Sequence, residues 1–172
     1  MSAASACGAC RHWAEGAGIM GALRCRTFDE LTEGEEFRSP TRTIAESDIY
    51  TFAGMTGDLT DIHISTQAAE DSAVFQGRPA HGLLLVGIAN GLYFRLGLTD
   101  GTAMALMGVH WRFRKPGYIG DTLSLVVAVE KKRELDEPDR GLVTFAARLE
   151  NQRGEVLGEG QFIRLVKRRE AA

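Results

Sequence analysis

The pattern of apolar and polar residues changes character near residue 103. Before that point, apolar residues recur at helical spacing in "ESDIYTFAGMTGD" and form a nearly unbroken run in "AHGLLLVGIANGLYFRLG". After it, four successive runs alternate apolar and polar residues, as strands do when side chains point to opposite faces. The loops "LDEPDRG" and "NQRG" separate the later runs. We therefore expect helices first and then four long strands in an antiparallel meander.

The first helical segment has a recognisable beginning and end. Ser47 and Asp48 supply helix-entry chemistry, and Gly57 supplies a stop. Asp58 is therefore expected just past the end of this helix. A short strand is expected near residues 41–44, and a second short helix in "STQAAEDSAVF", capped by Ser65 or Thr66.

The run at residues 80–94 predicts the central helix of the fold. Apolar residues occur on nearly every face of it, so we expect other structure to wrap around it. A strand and helices, then one buried helix, then four strands is the order of an α+β fold. An antiparallel β-sheet wrapped around a long central α-helix is the hotdog fold, and this is the predicted architecture.

Length and composition limit the remaining possibilities. A chain of 172 residues suits one domain, which we assign to residues 26–172, with residues 1–25 as a flexible extension rich in Ala, Gly and Ser. The net charge of −3 does not give the basic footprint of a nucleic-acid-binding protein. The apolar run is too short to span a membrane comfortably, and no secretory signal is recognisable. We expect a cytoplasmic protein with no membrane or nucleic-acid partner.

The cysteines all precede the predicted core. Cys7, Cys10 and Cys25 fall within the first 25 residues, so a disulfide framework is not expected. The "CGAC" spacing resembles zinc and redox sites, but it has no second pair and only His12 nearby. We predict no metal site.

The stretch "MTGDLTDIHIS" places Asp58 five residues before His63. On one continuous helix such residues point about 140° apart, whereas a turn led by Gly57 brings both side chains to one pocket. Two interpretations stand at this point. The polar residues either cap local backbone or form an acid and base pair.

Three stretches together resemble the MaoC-like dehydratases, the hotdog family that includes R-specific enoyl-CoA hydratases. They are "FAGMTGDLTDIH" at 52–63, "GRPAHGLLLVGIANGL" at 77–92 and "VHWRFRKPGYIGDTLSL" at 109–125. The first corresponds to the family's Asp-x-Asn-Pro-x-His signature, the second to its Ala-His-Gly entry to the central helix, and the third to its strand and Gly-Asp pair. The resemblance covers the chain from about residue 38 onward.

The resemblance implies hydration or dehydration of an enoyl thioester, with Asp58 and His63 as the catalytic pair. Ala80, His81 and Gly82 would bind substrate, because backbone N–H groups at a helix start stabilise negative charge on a thioester oxygen. Gly82 has no Cβ, so a substrate or a packed side chain could approach closely.

The signature is altered in this chain. Thr60 and Asp61 stand where the family has Asn and Pro, Ser65 replaces an acidic or amide residue, and Ala68 replaces an aromatic one. Thr60 is expected to bind substrate, since its hydroxyl can still form hydrogen bonds, although it does not reproduce the geometry of an amide. Asp61 is expected either to raise the proton affinity of Asp58 or to compete for His63. Either the substrate differs from a simple enoyl-CoA, or the activity is weak or lost.

Arg112, Arg114 and Lys115 form a basic group on one predicted strand and its exit. They either face solvent or contact the phosphates of CoA or of an acyl-carrier pantetheine arm. The substrate carrier is the only cofactor expected.

Two other functions stay open. A hotdog thioesterase is disfavoured because residues 83–96 contain no Asp or Glu. A catalytically impaired acyl-binding partner subunit is favoured by Thr60 and Asp61. All three functions predict a homodimer or higher oligomer, since a lone curled sheet exposes an edge strand.

Overall fold

The computed structural model describes residues 25–169. Four helices and six strands lie in this part of the chain. The helices are α1 (Glu46–Thr56), α2 (Asp61–Ile64), α3 (Thr66–Glu70) and α4 (Gly82–Arg95). The strands are β1 (Glu36–Arg38), β2 (Arg42–Thr43), β3 (Ala103–Phe113), β4 (Thr122–Glu134), β5 (Arg140–Glu150) and β6 (Val156–Lys167), and a short 3-10 helix, Phe28–Glu30, precedes them.

The antiparallel sheet packs against one face of α4. Its order is β1-β4-β5-β6-β3, with β2 paired to β4. The helix buries five residues, and the strands meet them with alternate apolar side chains. The core includes Leu85, Ile88, Ala89, Leu92, Tyr93, Leu123, Leu125, Val127, Val143, Phe145, Leu149, Phe162 and Val166. The predicted α+β architecture, an antiparallel sheet around a central helix, is confirmed.

The predicted four-strand meander is wrong in one pairing. Strands β4, β5 and β6 do follow one another as antiparallel neighbours, but β3 pairs with β6 rather than with β4. Residues 114–121 connect β3 to β4, and this segment is longer than a tight hairpin allows. It runs past the start of α4, where Pro79 forms a bridge with Tyr118. The connection therefore takes the chain from β3, at one edge of the sheet, to β4, which lies beyond β6 and β5.

Within residues 25–169 the sheet covers only one side of α4, so the expectation of a helix wrapped on all faces is not met by this part of the chain. Leu83 is 71% exposed and Phe94 is 45% exposed. Gly87 and Gly91 lie exposed between them. The outer face of α4 is apolar because apolar residues occur on nearly every face of this helix, and the sheet covers only one of those faces.

Local predictions in the first half of the chain hold. Ser65 is the N-cap of α3, and its hydroxyl accepts a hydrogen bond from the Ala68 N–H. The short strand expected at residues 41–44 is β2. Cys25 is disulfide-bonded, although no disulfide framework was expected from the three cysteines. Spacing alone does not reveal which sulfurs approach one another.

The predictions for most of the extension at 1–25 and for the "CGAC" motif lie outside the described residues. Within residues 25–169, no helix has the length and apolar character that crossing a membrane requires.

Candidate active site

A left-handed turn separates the helix before Asp58 from the helix that carries His63. Gly57 has φ 77°, a conformation that glycine adopts without a Cβ penalty. Its N–H donates to the Ala53 carbonyl. The helix α1 therefore ends at Thr56, as the sequence predicted, and the chain turns so that Asp58 and His63 no longer share one helix.

Asp58 is exposed, and its carboxylate is held by Thr60. The Thr60 hydroxyl donates to Asp58 Oδ1 at 2.6 Å, and the Thr60 N–H donates to the same oxygen at 3.4 Å. This hydroxyl bond is the main cause that lowers the pKa of Asp58 below its ordinary value, and the nearby imidazoles of His81 and His63 lower it further. The carboxylate is therefore ionised at neutral pH.

Asp61 does not have either effect expected of it. It begins α2, and it is not among the groups that shift the pKa of Asp58, which moves down rather than up. No hydrogen bond between Asp61 and the His63 ring occurs in the described structure; that ring bonds to Pro79 instead. At the first turn of α2 the Asp61 carboxylate is in the position that favours acidic side chains at helix starts.

His63 lies on α2 with its ring orientation fixed by backbone. Its Nδ1 lies 2.8 Å from the Pro79 carbonyl oxygen. A carbonyl oxygen only accepts hydrogen bonds, so Nδ1 carries the hydrogen. In the neutral ring this leaves the lone pair on Nε2. His63 therefore has the tautomer of a general base that acts through Nε2.

His81 is the residue before α4 and is 2% exposed. Its Nε2 lies 3.0 Å from the Asp58 backbone carbonyl oxygen, so by the same reasoning Nε2 carries the hydrogen. Its ring stacks on His63 with 3.9 Å between ring centres, and Phe52 lies 5.0 Å away. The remaining nitrogen, Nδ1, is buried with no hydrogen-bond partner.

The two residues predicted as catalytic come together with a third. One carboxylate oxygen of Asp58 and one ring nitrogen each of His63 and His81 lie within 4.8 Å of one another. Histidine and carboxylate donors also bind divalent metals, and within residues 25–169 this is the group of three that could hold one. The sequence-based assignment of no metal stays a prediction.

The start of α4 lies beside this cluster. The Ala80 N–H donates to the Gly117 carbonyl at 2.7 Å, so Ala80 is anchored and its N–H is already engaged. The N–H groups of the first helical turn have no acceptor within the helix. A Cβ at Gly82 would come within 2.9 Å of the Phe113 ring. Packing against Phe113 therefore explains glycine here, independently of any substrate.

The basic group lies on the other face of the sheet. Phe113 contacts the start of α4, and side chains alternate along a strand, so Arg112 and Arg114 point away from the helix. Arg114 pairs with Glu159 at 2.5 Å and Lys115 pairs with Glu155 at 2.8 Å. The structure does not bring these three residues together with the cluster of Asp58, His63 and His81.

Arg112 and Arg114 line an open depression of about 780 Å³ on that outer face. Its lining includes both basic and acidic side chains, and it does not include Asp58 or His63. A balanced lining of this kind attracts an anion less than a purely basic one would.

Three contributors to the site were not predicted. Phe52 packs on His81, Phe113 packs on Gly82, and the Pro79 carbonyl fixes His63. The alternation of strand β3 did place Phe113 on the apolar face with Trp111. No local pattern identifies the acceptor of a histidine N–H, because it depends on the tertiary fold.

Comparison with known proteins defines the class to which this fold and site belong. Residues 29–150 match the MaoC like domain. The chain belongs to this family, and its architecture is the hotdog fold of its structural neighbours.

Among curated proteins, an (R)-specific enoyl-CoA hydratase from Rhodospirillum rubrum is 33% identical over 135 residues, which cover 78% of this chain and 87% of the hydratase. The structure of a MaoC-like dehydratase from the same organism has a TM-score of 0.76 and 27% identity, covering 85% of this chain and 99% of that one. The R-hydratase PhaJ1 from Pseudomonas aeruginosa, in the unliganded form, has a TM-score of 0.67 and 27% identity, covering 85% and 92%.

Proposed function

We propose that the protein catalyses the reversible addition of water across the double bond of a trans-2-enoyl thioester. The observation that carries the proposal is the approach of the Asp58 carboxylate and a His63 ring nitrogen beside the first turn of α4. The similarity to an (R)-specific enoyl-CoA hydratase supports the same reaction class.

In the proposed reaction, His63 moves the proton. Its Nε2 removes a proton from water as the water oxygen bonds to C3 and the double-bond electrons move onto the thioester oxygen. The imidazolium then delivers that proton to C2 as the carbonyl re-forms. The lowered pKa of Asp58 favours an ionised carboxylate that orients the water and stabilises the imidazolium, rather than a carboxyl that donates a proton.

The first turn of α4 would stabilise the negative charge on the thioester oxygen. A helix start carries roughly half a positive charge from its aligned peptide dipoles. The N–H groups of this turn, beginning with Gly82, have no acceptor within the helix. Donors that are fixed before the reaction need no reorganisation when charge develops. Thr60, Ala80 and His81 would then contribute mainly by shaping this site around the substrate.

Contact of Arg112, Arg114 and Lys115 with the carrier phosphates stays a proposal with less support. Arg114 and Lys115 already pair with glutamates, and Arg112 makes no ion pair within the described residues. Replacement of Arg112 by Glu therefore tests this role better than replacement of Arg114. The reaction itself requires acid and base groups and no cofactor beyond the carrier of the acyl group.

Purified protein should consume the conjugated double bond of crotonyl-CoA, followed as loss of ultraviolet absorbance. Asp58→Asn and His63→Gln should each lower the rate on the order of 10²- to 10⁴-fold, because each removes a group that acts on the water. Asp136→Asn and His110→Gln are the matched controls and should retain the wild-type rate.

Equal activity of all four variants would remove Asp58 and His63 from the reaction. Release of free thiol without enoyl consumption would instead identify a thioesterase. Binding of crotonyl-CoA with neither reaction would identify the acyl-binding partner subunit.

A further inference from the structure

We infer that the His81 side chain positions both Asp58 and His63 for the reaction, an inference that rests on the proposed hydratase function. His81 touches the backbone of one residue and the ring of the other. It would act through these two residues, since its own Nε2 hydrogen is committed to a protein carbonyl.

Asp58 depends on His81 for its connection to a distant segment of the chain. Its carboxylate accepts from Thr60, and its N–H donates to Thr56 Oγ1. Thr56 is the last residue of α1 and Thr60 immediately precedes α2, so both partners lie within two residues of Asp58. Within the described residues, the hydrogen bond from His81 Nε2 to the Asp58 carbonyl is the one that connects Asp58 to a distant part of the chain. Without it, the turn after Gly57 has no such anchor.

His63 is held by the same short segment. The Pro79 carbonyl accepts from His63 Nδ1, and the His81 ring lies against the His63 ring. This segment is itself fixed, because Pro79 bridges to Tyr118 and the Ala80 N–H bonds to Gly117. One anchored segment, residues 79–81, therefore sets the positions of the Asp58 carboxylate and the His63 ring relative to α4.

Burial makes His81 suitable for this role. Its ring is 2% exposed and contacts the rings of Phe52 and His63, so few orientations of the ring are available. A displacement of about 1 Å in a reacting group lowers catalysis on the order of 10²-fold. The contribution of His81 should therefore appear in kcat, while KM changes little.

Two variants separate the two ring nitrogens of His81. In His81→Gln the side-chain amide nitrogen lies near the Nε2 position and can donate to the Asp58 carbonyl. In His81→Asn the shorter side chain places an oxygen near the Nδ1 position and cannot reach that carbonyl. We expect His81→Gln to retain kcat within about 10-fold and His81→Asn to lose on the order of 10²-fold at similar KM. His110→Gln and His110→Asn are the matched controls.

A second measurement does not depend on activity. NMR order parameters of the backbone N–H groups at residues 58–60 should be about 0.85 in the wild type and in His81→Gln. In His81→Asn they should fall below about 0.6. Thermal unfolding of both variants checks that each is folded. Equal order parameters and equal kcat in the two variants would overturn the role of His81. Inactive wild type with the expected order parameters would overturn the proposed function and leave the anchoring role intact.

Discussion

Among single residues, Thr60 shows how the altered signature still supports Asp58. The family has an amide-bearing residue here, whereas this chain uses a hydroxyl that donates to the Asp58 carboxylate at 2.6 Å. A hydrogen bond to the charged form favours that form. In this chain the Thr60 hydroxyl therefore lowers the pKa of Asp58.

Replacing Thr60 by Val removes the hydroxyl donor while nearly preserving side-chain shape. The pKa of Asp58 should rise toward its ordinary value, because the largest cause of its lowering is lost. Titration of the Asp58 carboxyl carbon by NMR measures the change. Thr60→Asn should keep the pKa low, and Thr43→Val, at a distant exposed position, should leave it unchanged. An unaltered titration in Thr60→Val would show that the hydroxyl does not set the charge of Asp58.

Within the helix α4, Tyr93 connects core packing to the pH dependence of stability. It is 1% exposed, and its hydroxyl pairs with the Thr99 hydroxyl at 3.0 Å. Burial raises the pKa of Tyr93 to about 12, since the phenolate would be desolvated. An unfolded tyrosine titrates near about 10.

Because the folded pKa of Tyr93 lies above the unfolded one, its contribution is complete below pH 10 and is lost as the pH rises toward about 12. The free energy of unfolding should fall by about 2–3 kcal/mol over this interval. Urea unfolding at several alkaline pH values measures the fall, which should be shallower in Tyr93→Phe. In Tyr50→Phe, at an exposed position, the free energy of unfolding should fall with pH as steeply as in the wild type. An equally steep fall in Tyr93→Phe would contradict the assignment to Tyr93.

The elements differ in how far the sequence predicts them. The end of α1, the cap of α3 and the extent of α4 follow from Gly57, Ser65 and the apolar run, because these signals act within a few residues. The pairing of β3 with β6 depends on contacts between residues far apart in sequence. The length of the segment between β3 and β4 was the available signal against a simple meander.

The site follows the same division. The spacing of Asp58 and His63, with the glycine turn between helices, indicates that they share a pocket. The roles of Pro79, Phe113 and the His81 ring arise only when residues 79–81 fold beside that turn. Alternation along β3 predicts that Arg112 points opposite to Phe113, whereas the pairing of Arg114 with Glu159 and of Lys115 with Glu155 depends on a part of the chain that only the tertiary fold brings close.

For the whole molecule, α4 and β3 leave apolar side chains exposed. Six of them, here called the β3–α4 patch, are each at least 40% exposed: Leu83, Phe94, Met104, Leu106, Met107 and Val109. Strand β3 is the end of the sheet order, with β6 as its only neighbour among the described strands. Unpaired edge strands and apolar patches are usually covered by a partner. We propose a homodimer joined through this patch.

Sedimentation of the wild type should give twice the mass of one chain. The double variant Leu106→Lys with Met107→Lys should sediment as a monomer, because burying two lysines without partners is costly. Val74→Lys, which is exposed outside the patch, should remain a dimer. A wild-type monomer, or a dimeric double variant, would argue against this interface.

The central claim is that the chain adds water to an enoyl thioester rather than using it to release the acyl group. Mass spectrometry of the products formed from crotonyl-CoA in water that carries a heavy oxygen isotope tests this directly. We expect one heavy oxygen in an intact 3-hydroxyacyl-CoA, and we expect His63→Gln to suppress the formation of this product. Heavy oxygen in a free carboxylate, or no incorporation by the wild type, would contradict it.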